Sequence, residues 1–147
     1  MTTEMKTQNG GKLALGHIAI KTDATGQPTV NVEFADGTVW LTVHQMAQLL
    51  DVFVSAVTSN LRVIFKNRIL REEDVSFNYK YEHEGRQRET IYYNLETLIA
   101  ICYRVNSRNA KAIRKWIAAT ISGQYKVGTK SSITILMSFN IKAKDTC

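Results

Sequence analysis

The chain has too few cysteines to be held together by disulfides. There are two in 147 residues, Cys102 within an apolar helical stretch and Cys147 at the end, and proline occurs once. Two distant cysteines make no disulfide framework, and a reducing cytoplasm is the expected compartment. Also missing is any apolar run near the roughly 20 residues that a bilayer-spanning helix needs, and Met1 to Lys12 is polar rather than a secretory signal. No membrane role is expected. The residues of several enzyme chemistries are absent as well. The chain carries no phosphate-cradling glycine loop, no Cys/His spacing suited to zinc and no Gly-x-Ser-x-Gly elbow. His17, His44 and His83 are scattered, and each reads as a surface or packing residue. His83, between Glu82 and Glu84, suits a polar turn better than a weak metal site. The expectation is a non-enzymatic protein with no catalytic residue, metal or cofactor.

Acid is missing from two particular windows. The whole chain has 19 Lys and Arg against 13 Asp and Glu, a net charge of +6. Between Val54 and Arg71 lie Arg62, Lys66, Arg68 and Arg71 with no acid; between Tyr103 and Lys126 lie Arg104, Arg108, Lys111, Arg114, Lys115 and Lys126, again with none. The two windows carry +10, which leaves the rest at −4. Charge concentrated in this way points to a polyanionic partner more strongly than the total does. The plainer reading is a pair of solvated helix faces.

What remains is an ordinary globular composition, 44% apolar. A single domain of this length buries roughly 70% of its unfolded surface. His17 to Lys21 and Thr29 to Phe34 read as strands around an Asp23–Gln27 turn. Val30, Val32 and Phe34 alternate with polar residues, the period of a half-buried strand. Asp36-Gly37 is a tight-turn signal, with Thr38 to Leu41 returning as a third strand. Val75 to Tyr81 and Glu89 to Tyr93 read as a hairpin around His83–Arg88. Asn94 caps a helix from Leu95 to about Val105, with Leu95, Leu98, Ile99 and Cys102 as its buried stripe. Ser107 caps another from Arg108 to about Ser122, with Ile113, Trp116, Ile117 and Ile121 inward and Arg108, Lys111 and Lys115 outward. This pair is read as a helical hairpin closing the core.

The most informative stretch is Trp40–Lys66. Thr42 caps a first helix running to about Leu50, and Ser55 a second running to about Lys66. Ala47 is small enough for the second helix to pack across the first, and Leu50, Val52 and Val57 supply apolar contacts around the turn. This is the layout of a helix-turn-helix, whose second helix enters a DNA major groove. In that helix Val57, Leu61, Ile64 and Phe65 form one apolar face. Ser55, Thr58, Ser59, Arg62 and Lys66 lie opposite, as donors for base edges and phosphates. A helix-turn-helix followed by a hairpin is the order of a winged-helix fold, and Arg86 and Arg88 at the hairpin tip suit a wing on the DNA backbone. Glu82, Glu84 and Glu89 suit instead a plain solvent-exposed loop. Tyr92, Tyr93 and Tyr103 are candidates for base stacking, although core and hairpin packing is the favoured reading of them. Trp40 and Trp116 read as core anchors.

From about Ile18 to Gln124 the sequence resembles the N-terminal module of the RhuM-type virulence protein family. The match is carried by Val39-Trp-Leu-Thr42, Gln45-Met-Ala-Gln-Leu-Leu50, Ile64-Phe65 with Leu70, Tyr92-Tyr-Asn-Leu95, and Tyr103-Arg-Val-Asn-Ser107 followed by Arg114-Lys-Trp116. The resemblance implies a bacterial, cytoplasmic DNA-binding protein encoded on mobile or pathogenicity islands or near restriction and toxin systems. Some relatives add a Fic-type domain, whose motif does not occur here. The chain departs from the family in two places. The turn before the second helix reads Phe53-Val54 where the family is usually polar. The family pattern also continues well past the Trp116 helix, whereas this chain changes character after about Ile121, which suggests a truncated or frame-shifted member.

Together these readings predict an α+β fold, with a small antiparallel sheet, a helix-turn-helix, a wing-like hairpin and a closing helical pair. Residues 1–12 are expected to be disordered, 13–124 to form the RhuM-like winged-helix-type module, and 125–147 to be a tail with few contacts to the body. Within the tail, Ser131–Phe139 is a candidate strand. One core is expected to hold Ala47, Val57, Leu61, Phe65, Leu98, Cys102, Ile113 and Trp116. The expected function is binding to double-stranded DNA without catalysis, in a regulatory role. Ser55, Thr58, Ser59 and Arg62 would approach the groove; Lys66, Arg68, Arg86, Arg88, Arg108, Lys111 and Lys115 would face phosphates. The rivals are a module recruiting a protein partner through Phe53, Val54 and the Arg108–Lys115 face, and a truncated family member without function. Burial of Phe53 and Val54 favours DNA, whereas their exposure in a patch favours a protein partner.

Overall fold

Local chemistry sets the helix starts. In the computed structural model, which describes residues 7–8 and 12–127, with side chains from residue 13 to 123, Thr42 accepts a hydrogen bond from the Gln45 N–H at 3.1 Å. The Gln45 side chain reciprocates by accepting from the Thr42 N–H at 2.9 Å. This capping box begins α1, Val43–Leu50. Asn94 accepts from the Thr97 N–H at 3.1 Å and begins α4, Leu95–Cys102. Ser107 accepts from the Ala110 N–H at 3.0 Å and begins α5, Arg108–Val127. Its hydroxyl also donates to the Leu50 carbonyl at 2.6 Å, so one serine starts one helix and satisfies the end of another. These three caps are the ones the sequence predicts. Ser55 is not a cap: α2, Val54–Lys66, starts two residues earlier than a Ser55 cap implies, with Phe53 in the N-cap position and no side-chain bond.

The fold is α+β. Among the described residues three two-stranded antiparallel ladders form: β1, Thr7–Gln8, with β2, Lys12–Leu13; β3, His17–Thr22, with β4, Pro28–Glu33; and β5, Ser76–His83, with β6, Arg86–Tyr93. A single helical turn, α3, Glu72–Val75, precedes β5. The β1–β2 pairing places order inside the segment expected to be disordered. The expected tail beyond residue 127, with its candidate strand, lies outside the described residues.

Thr38 to Leu41 is not a third strand. Ala35 bridges to Thr38 across Asp36-Gly37, both at positive φ (51° and 81°), the two-residue turn the sequence predicts. The chain then leaves β4, and Leu41 exchanges two backbone hydrogen bonds of 2.8 Å with Tyr93 instead. Phe34 falls beyond the last paired residue of β4 and is 56% exposed, so the alternation expected to half-bury it stops at Val32. Gly16 turns the chain ahead of β3 at φ +68°, where a Cβ would stand 2.7 Å from the Glu33 carbonyl oxygen.

The chain divides into two units, residues 1–114 and 115–147. The core of the first contains Met46, Leu50, Val57, Ile64, Phe77, Leu98 and Ile113, all fully buried. Six of the eight expected core residues are buried: Ala47, Val57, Leu61, Leu98, Cys102 and Ile113. Phe65 is half-buried and stacks on Tyr93 at 6.1 Å. Trp116 is half-buried and belongs to the second unit. In α4 the buried set is Thr97, Leu98, Ile101 and Cys102, whereas Leu95 and Ile99 are only half-buried, so the stripe is rotated from the expected one. Burial fades along α5: Ile113 is buried, Ile117 half-buried and Ile121 exposed, contrary to its expected inward place. A 3.6-residue period identifies a stripe but not how far along the helix it stays covered.

Candidate nucleic-acid interface

Helices α1 and α2 meet at 114° across a three-residue turn, inside the range of a helix-turn-helix. The turn has a definite mechanism. Asp51 adopts the left-handed conformation at φ 54°, ψ 52°. Its N–H donates to the Gln48 carbonyl, and the Val52 N–H donates back to the Ala47 carbonyl at 3.0 Å. That is a Schellman ending, with an aspartate where glycine is usual. Ala47 is buried, in keeping with its small size.

The two faces of α2 separate as its periodicity predicts. Val57, Leu61 and Ile64 are buried, while Ser55, Thr58, Ser59, Arg62 and Lys66 are all exposed. The Thr58 hydroxyl donates to the Val54 and Ser55 carbonyls at 3.2 and 3.1 Å, which leaves its lone pairs facing outward. The helix closes with a second Schellman ending. The Arg68 N–H donates to the Phe65 carbonyl at 3.2 Å and the Ile69 N–H to the Ile64 carbonyl at 2.9 Å. Arg68 is exposed and held at φ 56°. Phe53, at the start of α2, is 84% exposed, whereas Val54 is half-buried.

The Leu41–Tyr93 pair joins the base of the β5–β6 hairpin to the lead-in of α1. The hairpin is longer and tighter than its sequence suggested. Strands run to the tip and close through Glu84-Gly85, both at positive φ, rather than through a six-residue loop. Arg86 and Arg88 are therefore strand residues, paired with His83 and Tyr81. Alternation puts Phe77, Tyr79, Tyr81 and His83 on one face with Tyr92, Thr90, Arg88 and Arg86. Glu82 and Glu89 fall on the other face, where Glu89 meets Asn78 at 3.0 Å and Lys80 at 4.0 Å. Two of the three acids near the tip thus lie on the face away from its arginines, and the third, Glu84, sits in the turn 3.8 Å from His83. This segregation by pairing register was invisible without knowing the turn length.

Among the described residues the basic side chains within 4.0 Å of an acid are Arg71, Lys80 and His83. Arg62, Lys66, Arg68, Arg86, Arg88, Lys111 and Lys115 are exposed without such a partner. Arg108 is exposed too and reaches the Gly26 carbonyl at 3.4 Å. Lys115 belongs to the second unit. Other basic residues of the two windows serve the fold. Arg114 donates to the carbonyls of Cys102 and Val105 at the end of α4. Arg104 donates to the Asn60 side chain at 2.9 Å. Arg71 binds Glu73 at 2.8 Å, which raises its pKa further.

Burial pushes the Cys102 thiol up to about 12 despite the nearby Arg114, so it is a packing residue. Tyr93 is buried and unavailable for base stacking, Tyr92 is half-buried, and Tyr103 is exposed. Burial raises the pKa of Tyr93, and raises that of Tyr92 together with its neighbours Tyr79 and Tyr81. A pocket of about 440 Å³ lies between β3, residues 39–41 and α1, lined in part by His17, Gln45, Gln48 and Asn109. Gln45 is used in the capping box and Asn109 donates to the Leu49 carbonyl at 2.8 Å. Among the described residues no three Cys, His, Asp or Glu side chains gather as a metal site. No single helix among them is long and apolar enough to cross a membrane. No protein-family model, curated protein or solved structure matches the chain.

Proposed function

We propose that this protein binds double-stranded DNA through the outward face of α2, without catalysis and in a regulatory role. The observation that carries the reading is the 114° crossing of α1 and α2, which leaves Ser55, Thr58, Ser59, Arg62 and Lys66 exposed together on a face with no acid. The hydroxyls and Arg62 match groove edges; Lys66 and Arg68, at the end of the helix, match phosphates. Phe53 supplies no capping side chain, and its carbonyl takes the Ala56 N–H at 3.0 Å, so the Val54 and Ser55 N–H groups of α2 are left for an anionic partner. Arg86 and Arg88 extend the basic surface onto the hairpin as a wing, and Arg108, Lys111 and Lys115 supply further cations. The resemblance to the RhuM-type family points the same way, to a bacterial cytoplasmic protein of mobile-element origin.

One observation favours a second reading. Phe53 is 84% exposed, the outcome expected of a module that recruits a protein partner. Its neighbour Val54 is half-buried, so the two do not form one exposed patch. At the start of a groove-reading helix an aromatic ring also suits the methyl group of thymine. The test is a gel shift with random-sequence duplex DNA at low salt. A shifted complex that heparin competes away supports the proposal; duplex that binds no better than the heparin-blocked background rules it out and leaves the protein-partner reading.

A further inference from the structure

The face of the hairpin opposite Glu82 and Glu89 carries a continuous row of rings. Trp40 meets Phe77 edge-on at 4.8 Å. Phe77 stacks on Tyr92 at 5.2 Å, Tyr92 meets Tyr79 at 6.5 Å, and Tyr79 stacks on Tyr81 at 5.6 Å with 16° between the planes. The row starts at the fully buried Phe77 and runs outward through half-buried rings to Tyr81. From Tyr81 to the tip this face carries His83, Arg86 and Arg88, all exposed, with the Glu84 carboxylate 3.8 Å from His83 in the turn. Arg88 stands directly across the ladder from Tyr81, and neither arginine has an acid within 4.0 Å among the described residues. The Thr90 hydroxyl lies 3.5 Å from that of Tyr81, at the long end of a hydrogen bond.

We infer that this face is a binding site for single-stranded polynucleotide, in which an unpaired base extends the ring row by stacking at Tyr81 while Arg86 and Arg88 hold the flanking phosphates. A row of rings with one unpaired guanidinium across from its outer ring and a second nearer the tip offers both halves of such a site, a π-face and phosphate donors. An acidic peptide would use the guanidiniums but has no need of the ring. Duplex DNA keeps its bases stacked inward and would meet the arginines alone. The site shares Arg86 and Arg88 with the wing of the duplex reading but is separate from α2, and Tyr81, which the duplex reading does not use, distinguishes the two.

The test is fluorescence anisotropy of the full chain with labelled dT12, labelled rU12 and a 12-base-pair duplex. Tyr81→Leu should weaken binding of the single strand by about 5- to 100-fold, the worth of one base–aromatic stack, while Tyr81→Phe binds like the wild type. Arg86→Ala with Arg88→Ala should lower the slope of log K against log salt by about 1.4, at roughly 0.7 per contact on a single strand. Arg62→Ala with Lys66→Ala should leave single-strand binding unchanged, which separates this site from α2. The tighter of dT12 and rU12 names the sugar. Should Tyr81→Leu lose its far-ultraviolet circular dichroism, the exposed arginine pair decides. The inference is overturned if neither single strand binds, if the Tyr81→Leu protein folds and binds as tightly as the wild type, or if the arginine pair leaves the slope unchanged. Competition by poly-glutamate with no dependence on Tyr81 also overturns it, in favour of an acidic protein partner.

Discussion

Arg68 shows how one residue serves two ends at once. It occupies the left-handed position that closes α2, at φ 56°, a conformation that costs a non-glycine residue about 1 kcal/mol. Glycine would relieve that cost, and its absence fits a position where a cation is wanted. Arg68→Gly should therefore raise stability by about 0.5–1 kcal/mol in urea unfolding while weakening duplex binding; lower stability would mean that the arginine side chain packs usefully after all. At this scale the sequence was readable where the signal is a side chain bonding a few residues away. Thr42, Asn94 and Ser107 all cap as expected. Ser55 misled because the α1 ending at Asp51 sets where α2 begins, and no propensity of Ser55 enters that geometry. The chain placement of Arg114 and Arg104 was equally hidden: a charge count cannot tell a cation that closes a helix from one left in solvent.

Between elements, α1 packs against α2 and Ala47 is buried in α1, where its small side chain suits that contact. Ala47→Leu adds three carbons to that contact and should cost about 1–3 kcal/mol, with a matching loss of duplex binding as the angle opens. Unchanged thermal stability would place the contact elsewhere. The β3–β4 turn carries its own pH dependence. The Asp23 carboxylate accepts from the Thr25 hydroxyl at 2.6 Å and from the Gln27 N–H at 2.9 Å. These bonds, the hydroxyl first, hold its pKa below the usual carboxylate range. A depressed folded value means that its stabilisation is complete above the unfolded pKa of about 3.9 and is lost as pH falls through the folded value. The Gln27 amide shift should accordingly titrate with a midpoint below about 3.9, and a midpoint at or above it would contradict the assignment. Helices and turns were legible here because their signals are local. The pairing of Leu41 with Tyr93 joins residues about a third of the chain apart, and no local pattern in Thr38–Leu41 announces it. The hairpin register was likewise missed because Glu84-Gly85 is a weaker turn signal than Asp36-Gly37, although both adopt the same pair of positive φ values.

For the whole molecule, what matters is where unpaired positive charge collects. The sequence located the acid-free windows, and the structure keeps Arg62, Lys66 and Arg68 exposed at α2 and Arg86 and Arg88 exposed on one hairpin face. What it could not supply was the sidedness of the hairpin, which depends on a two-residue turn, or the exposure of Phe53. The central claim is that the outward face of α2 lies against duplex DNA. Its most direct test is the salt dependence of duplex affinity for the wild type and for Lys66→Ala. Four to six phosphate contacts predict a slope of log K against log salt of about −4 to −5, at roughly −0.9 per contact, and Lys66→Ala should make it shallower by about one unit for every sequence tested. A Lys66→Ala protein with the wild-type slope and affinity would contradict the claim and place the DNA contact, if one exists, on another surface.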